Sequence, residues 1–255
     1  ITSMEKDSWL GLRRVLMEVA TELAQIPLLG SYEEAFKIAL IGEIYVRRDG
    51  FSRQYLVERL AEKNIISKIA PVHEWVYYCD YLIKNDLSEK CTKMDKLRVK
   101  METIFKVRYE REIKSILAKS GLYKYQLMEV DKIVERVAHL ISPALSGEAI
   151  LTIGAAISEI LNEVAGVISV GPFGCMPSRV AEAIISKTIN NEKKREAAED
   201  QLIKILLEIH PYLPFLSLES DGNVFPQIIE AKLEAFCLQV KRINKNLLDL
   251  KRRLG

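Results

Sequence analysis

Four short, mainly apolar runs constrain the fold of this chain more than any other feature. They cover residues 38–44, 65–70, 167–171 and 214–219, and segments with helical spacing of apolar residues separate them. Runs that are apolar without alternation are typical of strands in a parallel sheet covered by helices on both faces. The sequence therefore predicts an α/β fold with an open parallel sheet of the Rossmann or flavodoxin type. Runs 38–44 and 167–171 are expected to be its central strands.

Amphipathic or apolar segments between these runs predict helices. Their expected bounds are 8–26, 51–64, 73–83, 88–119 (one or two helices), 126–140, 147–163, a helix from near Pro177, 200–209 and 224–249, with a polar connection over 190–200. The wider strand segments are 37–46, ending near Glu43, then 65–71 and 214–222. Residues 1–36 are thus expected to form an N-terminal helical segment. Residues 37–255 are expected to form an α/β domain with a helical insertion at about 88–145.

Composition limits the class of protein. The net charge of +2 argues neither for nor against a nucleic-acid partner, and acidic residues dilute the basic bias of residues 90–119, so we expect no nucleic-acid partner. The most apolar stretch, 149–161, is too short to span a bilayer, so no membrane partner is expected. The cysteines are Cys79, Cys91, Cys175 and Cys237, which form no CxxC pair and indicate a reducing cytoplasm. The chain begins with Ile1 rather than methionine, so we expect it to be part of a longer polypeptide.

Glycine and polar residues follow three of the four predicted strands. Because the carboxyl ends of parallel strands share one edge, where ligands bind in open α/β sheets, these residues define the candidate site. The predicted cofactor-binding residues are Gly42, Glu43, Gly171, Phe173, Gly174, Glu219 and Asp221. Glu219 and Asp221 suit acid/base chemistry, magnesium binding or a simple turn. Arg47 and Arg48 suit either a phosphate or a solvated loop.

Cys175 is the most informative of the site candidates. It lies between a glycine- and proline-framed turn and the helix predicted from near Pro177. A helix amino terminus stabilises a thiolate, which both a nucleophile and a soft-metal ligand require. A buried, inert cysteine is the alternative. Packing roles are expected for Cys79 and Cys237, an incidental exposed position for Cys91, and cap or surface positions for the histidines at 73, 139 and 210.

Three segments resemble a known family. GPFGCMPSRVAEAII, LPFLSLESDGNVFPQIIEAKLEAFCLQVKR and IALIGEIYVRRDGFSRQYLVERLAEKN are similar to the carboxyl-terminal part of large acyl-CoA dehydratase activase-related proteins. These in turn resemble the 2-hydroxyacyl-CoA dehydratase component family. The resemblance covers residues from about 3 to 248, and its specific parts are PFGCMP and the segment from LESDG into the last helix.

The resemblance implies a function in iron–sulfur chemistry. In the dehydratase subunits, cysteines hold a [4Fe–4S] cluster between Rossmann-like lobes, and Cys175 matches the family's PFGC cysteine, which makes it the expected metal ligand. Full-length members also carry ATP-binding activase domains and a cysteine-containing domain, and neither is present here. We therefore expect the chain by itself to lack a complete cluster and ATPase activity.

Three functional hypotheses follow. The first is an iron–sulfur-associated module of a dehydratase/activase-like protein that supports ATP-coupled, low-potential electron transfer, with dehydratase or activase subunits or domains as partners and homo-oligomers left open. The second is a non-catalytic docking domain of the same larger protein, with an exposed apolar patch on helix 73–83 or 224–249. The third is a thiol enzyme with Cys175 as nucleophile, which requires a base within hydrogen-bond reach of the thiol.

Overall fold

The fold was analysed in a computed structural model, which describes residues 9–28, 30, 32, 34–88, 91–145, 147–197, 200–220 and 226–254. Its strands are β1 (Phe36–Gly42), β2 (Ile65–Ile69), β3 (Val167–Pro172) and β4 (Phe215–Ser220). The helices of its first half are α1 (Trp9–Ala24), α2 (Ile44–Arg48), α3 (Leu56–Glu62), α4 (His73–Lys84) and α5 (Lys93–Ala118). Those of its second half are α6 (Val130–Val137), α7 (Ala149–Glu159), α8 (Met176–Glu196), α9 (Gln201–Ile209) and α10 (Pro226–Leu254).

The predicted parallel sheet is confirmed. The strand order is β2-β1-β3-β4, every pairing is parallel, and β1 and β3 are the central strands. Residues 37–42 of β1 and 167–171 of β3 are all buried, which explains why both strands read as continuous apolar runs. From β1 the chain passes outward to β2 on one side, and from β3 to β4 on the other. The order therefore reverses between β1 and β3, where open α/β sheets form a crevice at their carboxyl edge.

The chain divides into two compact units. The helical unit comprises Ile1–Glu33 and Val76–Glu129, and the sheet unit comprises Glu34–Trp75 and Val130–Gly255. The N-terminal helix therefore shares a unit with most of the expected insertion, whereas residues 130–145 of that insertion belong to the sheet unit.

Two contacts organise the helical unit. The Trp9 and Tyr109 rings, from α1 and α5, meet edge to face with centroids 4.4 Å apart. On the other side of α5, the Glu110 carboxylate accepts hydrogen bonds from Tyr77 Oη at 2.7 Å and from the Met128 N–H at 2.9 Å. Lys114, one turn along α5, forms an ion pair with the same carboxylate. The buried polar network thus fixes α5 against α4 and the chain that follows α5.

Several predicted bounds were wrong, each for a local reason. The helix expected over 51–64 begins only at Leu56, because Gln54 and Tyr55 have positive φ angles of 53° and 52°. The polar connection expected over 190–200 is largely helical: α8 continues to Glu196, with Ile189 and Lys193 buried on one face.

Two other helices are shorter than predicted. The helix expected over 126–140 is α6 (Val130–Val137), and the one expected over 147–163 is α7 (Ala149–Glu159). Ser8, the expected cap of the first helix, lies outside the described residues. A bilayer crossing needs a longer apolar helix than any in the described part of the chain.

Candidate functional site

The end of β1 requires glycine. Gly42 has a φ of +109°, and a Cβ added there would lie 2.0 Å from the Val170 carbonyl oxygen of β3. The next residue, Glu43, donates its N–H to that same oxygen at 2.9 Å. Its carboxylate accepts the Val46 N–H at 2.7 Å and so caps α2. Gly42 thus allows close approach of backbone to backbone, and the Glu43 side chain has a structural partner.

Arg47 is not part of a solvated loop, one of the two roles expected for it. Its side chain is only 2% exposed, and it forms an ion pair with Glu74 at 2.6 Å. It also donates to the carbonyl oxygens of Gly42 at 2.6 Å and Pro71 at 3.3 Å. Burial raises the pKa of Glu74, against the opposing charge of Arg47. Arg47 therefore joins the ends of β1 and β2 to the start of α4.

The end of β3 forms the turn that carries Cys175. Gly171 is buried against Ser178, whose Oγ would lie 2.3 Å from an added Cβ. Gly174 has a φ of +69°, and the Cys175 N–H then donates to the Pro172 carbonyl oxygen at 3.1 Å. Phe173, at the tip of the turn, is 70% exposed. The turn sets Cys175 at the N-cap of α8, one residue before the helix begins at Met176.

The end of β4 holds this turn in place. The Glu219 carboxylate accepts the Gly174 N–H at 3.3 Å and forms an ion pair with Arg179 of α8. The Ser220 carbonyl oxygen accepts the Phe173 N–H at 3.0 Å. Glu219 therefore lies beside the Cys175 turn, as its place after a parallel strand predicted. Asp221, the other predicted acid, lies outside the described residues.

The Cys175 thiol is half-buried, and it makes no capping hydrogen bond to α8. No other hydrogen bond to its Sγ is present in the described ranges. The Cys237 side chain is buried on α10, and burial raises the pKa of its thiol. Burial also raises the pKa of the Cys79 thiol, with a further contribution from the charge of Asp80. Within the sheet unit, Cys175 is therefore better placed for chemistry than Cys237.

Glu148 and Arg53 were not predicted. Burial, followed by the negative charge of Glu43, raises the pKa of Glu148, which accepts a hydrogen bond from the backbone of Ile44. Glu148 immediately precedes the apolar helix α7. This position was the one feature of the sequence that could have indicated Glu148 as a site residue. The neighbouring Gly147 faces Pro177, since a Cβ added to it would lie 3.9 Å from Pro177 Cγ. A second carboxyl group thus lies between the end of β1 and the start of α8.

Arg53 lines a small, partly open pocket of about 20 Å³ at the carboxyl ends of β3 and β4. Its side chain is 10% exposed and pairs with Glu58 at 2.9 Å. Its Nε is buried without a hydrogen-bond partner among the described residues. Glu219 and Ser220 line the same pocket. No pattern in the sequence marks Arg53, because its burial follows from the turn at 51–55 where a helix was expected.

The described residues do not supply a complete ligand set for an iron–sulfur cluster. A [4Fe–4S] cluster takes about four thiolates. Within the ranges described, no group of three or more His, Cys, Asp or Glu side chains could hold a metal ion. Of the two cysteines in the sheet unit, Cys175 lies at the carboxyl edge and Cys237 is buried on α10, so this unit offers one thiolate at the edge.

Comparison with known proteins leaves the site to be interpreted from its own geometry. No family model matches the chain, and no curated protein or solved structure is significantly similar to it.

Proposed function

We propose that the sheet unit positions Cys175 as a single thiolate ligand of a metal–sulfur centre whose other ligands come from a different polypeptide or domain. The observation that carries the proposal is the construction of the turn. Gly171, Gly174 and Glu219 fix the backbone around a half-buried thiol that has no hydrogen-bond partner within the described residues. A structural cysteine requires no such support, whereas a ligand is held by neighbouring groups that orient it.

The resemblance to acyl-CoA dehydratase activase-related proteins gives the proposal its biological setting. In that setting the centre is a [4Fe–4S] cluster and the chain supports ATP-coupled, low-potential electron transfer to a dehydratase in the cytoplasm. This chain's own residues would supply position rather than redox chemistry. Glu219 holds the turn through the Gly174 N–H, and Arg179 fixes Glu219 from the first turn of α8.

The test is the iron and acid-labile sulfide content of the protein, purified without oxygen from cells that make it together with its native partners. Cys175→Ser should lower both contents and the visible absorption, because a hydroxyl is a poor ligand for iron–sulfur centres. Serine is nearly isosteric with cysteine, so the circular dichroism spectrum should be unchanged. Cys237→Ser is the matched control, since Cys237 is buried on α10, and it should leave the iron content unchanged.

A second variant separates positioning from ligation. Glu219→Gln retains Cys175 but removes the charge that pairs with Arg179, so it should weaken iron retention less than Cys175→Ser. Equal iron content in the wild type and in Cys175→Ser would exclude the ligand role of Cys175.

A further inference from the structure

Helix α5 exposes a row of apolar side chains. Met94, Leu97, Met101 and Ile104 follow one another at intervals of three, four and three residues, and Phe105 lies beside them. Their exposed fractions are 73%, 55%, 56%, 69% and 57% in that order. We define these five residues as the α5 stripe. Spacing of this kind places side chains along one seam of a helix, as in the a and d positions of a coiled coil.

Packing within the helical unit covers this side of α5 only beyond the stripe. There Trp9 of α1 contacts Tyr109, and Ile116, eleven residues after Phe105 and on nearly the same side of the helix, is buried. On the other side of α5, Val99 is buried and Lys106 pairs with Asp80 of α4 at 2.9 Å. An exposed apolar patch was expected on α4 or α10. Among the described residues, each of these helices exposes one large apolar side chain: Val76 on α4 and Leu238 on α10. Over the stripe itself, α5 therefore carries an apolar surface that packing within the described residues of the helical unit does not use.

Unpaired positive charge borders the α5 stripe. Lys93, Lys100, Arg108 and Arg111 are all exposed, and none has an ion pair within the described residues. At about 100° per residue, Lys93, Lys100 and Arg111 fall on the same side of the stripe. Lys93 and Lys100 lie next to Leu97, and Arg111 lies about two turns beyond Ile104. Arg98, on the other margin, is already paired with Glu102 at 3.5 Å. The surface thus combines an apolar seam with one cationic margin.

We propose that the α5 stripe binds an acidic amphipathic helix of another polypeptide. The apolar seam of that helix would pack against Met94, Leu97, Met101 and Ile104, and its flanking carboxylates would pair with Lys93, Lys100 and Arg111. A second copy of α5 fits less well, because it would add the same cations to the interface. An anionic membrane also fits less well, since the seam is narrow and Asp95 and Glu102 lie on the helix surface near it. The proposal does not depend on the role of Cys175.

The test uses two synthetic helical peptides with leucine at every a and d position. One carries glutamate at the e and g positions, and the other carries lysine there. Fluorescence anisotropy with the whole chain should show binding of the glutamate peptide, and the lysine peptide should bind about tenfold more weakly or worse. Ile104→Asp in the stripe should abolish binding, whereas Leu238→Asp, an equally drastic change at an exposed position of α10, should leave it unchanged.

Charge reversal tests the cationic margin. In the double variant Lys100→Glu with Arg111→Glu, the lysine peptide should bind more tightly than the glutamate peptide. Both residues are exposed, so the fold should be retained. Equal affinity for both peptides would overturn the proposal. Sedimentation of the chain with phosphatidylserine vesicles, lost in Ile104→Asp, would assign the stripe to a membrane instead. Self-association that Ile104→Asp removes would assign it to a second copy. Cys175→Ser should leave peptide binding unchanged, which separates this test from that of the metal centre.

Discussion

Gly42→Ala tests whether β1 and β3 approach each other as closely as the structure shows. The substitution has two costs. An alanine in the left-handed φ region is less stable by about 1–2 kcal/mol. Its Cβ would also lie 2.0 Å from the Val170 oxygen and 2.8 Å from the Val170 nitrogen, where ordinary contact needs about 3.5 Å. Both atoms belong to the backbone of a central strand, so no side-chain rotation can relieve the overlap.

Relief of that overlap requires the end of β1 to move away from β3. The movement would break the hydrogen bond from the Glu43 N–H to the Val170 oxygen, which contributes about 0.5–1.5 kcal/mol. With the φ cost, these terms should lower the free energy of unfolding by about 1.5–3.5 kcal/mol, and any overlap that remains adds to this loss. Gly174→Ala is the control in the same unit, since Gly174 also has a positive φ (+69°) but nothing lies within 4 Å of an added Cβ. Its cost should be limited to about 1–2 kcal/mol.

Urea unfolding followed by far-ultraviolet circular dichroism measures both costs, with the m-values compared to check that the transitions match. The expected excess for Gly42→Ala corresponds to a Tm about 4 °C or more below that of Gly174→Ala. If Gly42→Ala is no less stable than Gly174→Ala, the close approach of β1 to β3 is wrong, and with it the geometry of the crevice between them.

Three other outcomes can be measured on the same protein. Iodoacetamide should label Cys175 before Cys237, because burial raises the pKa of the Cys237 thiol and shields it; peptide mass spectrometry gives the order, and the reverse order would contradict the placement of Cys175. Burial opposes ionisation of Glu110, but hydrogen bonds, the one from Lys114 foremost, hold the pKa of its carboxyl group below its ordinary value. The stabilisation from Glu110 is therefore complete above the ordinary pKa of a glutamate, and it is lost as the pH falls through the lower pKa of the folded protein. Urea melts at stepped pH should show this loss, and Glu110→Gln should reduce it. Gly154→Ala should cost about 1–3 kcal/mol, because its Cβ would lie 2.3 Å from Ile133 Cγ2, and the double variant with Ile133→Ala should cost less than the sum of the two single changes.

The sheet could be predicted because its two central strands are buried on both faces and are therefore mainly apolar. β1 and β3 are continuous apolar runs, and their central place, parallel direction and flanking strands all follow from that pattern. The turns could not be predicted as well. The positive φ angles of Gln54 and Tyr55 shorten α3 and bury Arg53, and neither residue type announces such a conformation.

In the candidate site, the place of residues along the sheet edge could be predicted, but the contacts of their side chains could not. The neighbourhood of Cys175 and Glu219 followed from parallel topology alone. The partners of individual side chains did not, because they depend on contacts distant in sequence. Arg47 pairs with Glu74 across β2, which no local pattern indicates. Glu43 was expected to face a ligand, but its carboxylate caps the short helix α2, which the apolar run over 37–46 concealed.

The buried Arg47 side chain has a consequence for the motion of the sheet edge. One guanidinium holds the last carbonyl of β1, the carbonyl of Pro71 after β2, and the carboxylate of Glu74. Neither loop can open while the other stays closed without leaving a buried charge unpaired. The two segments, 42–48 and 70–74, should therefore behave as one cooperative unit in native-state hydrogen exchange, with matched protection of their amides. One margin of the crevice thus opens as a whole or not at all.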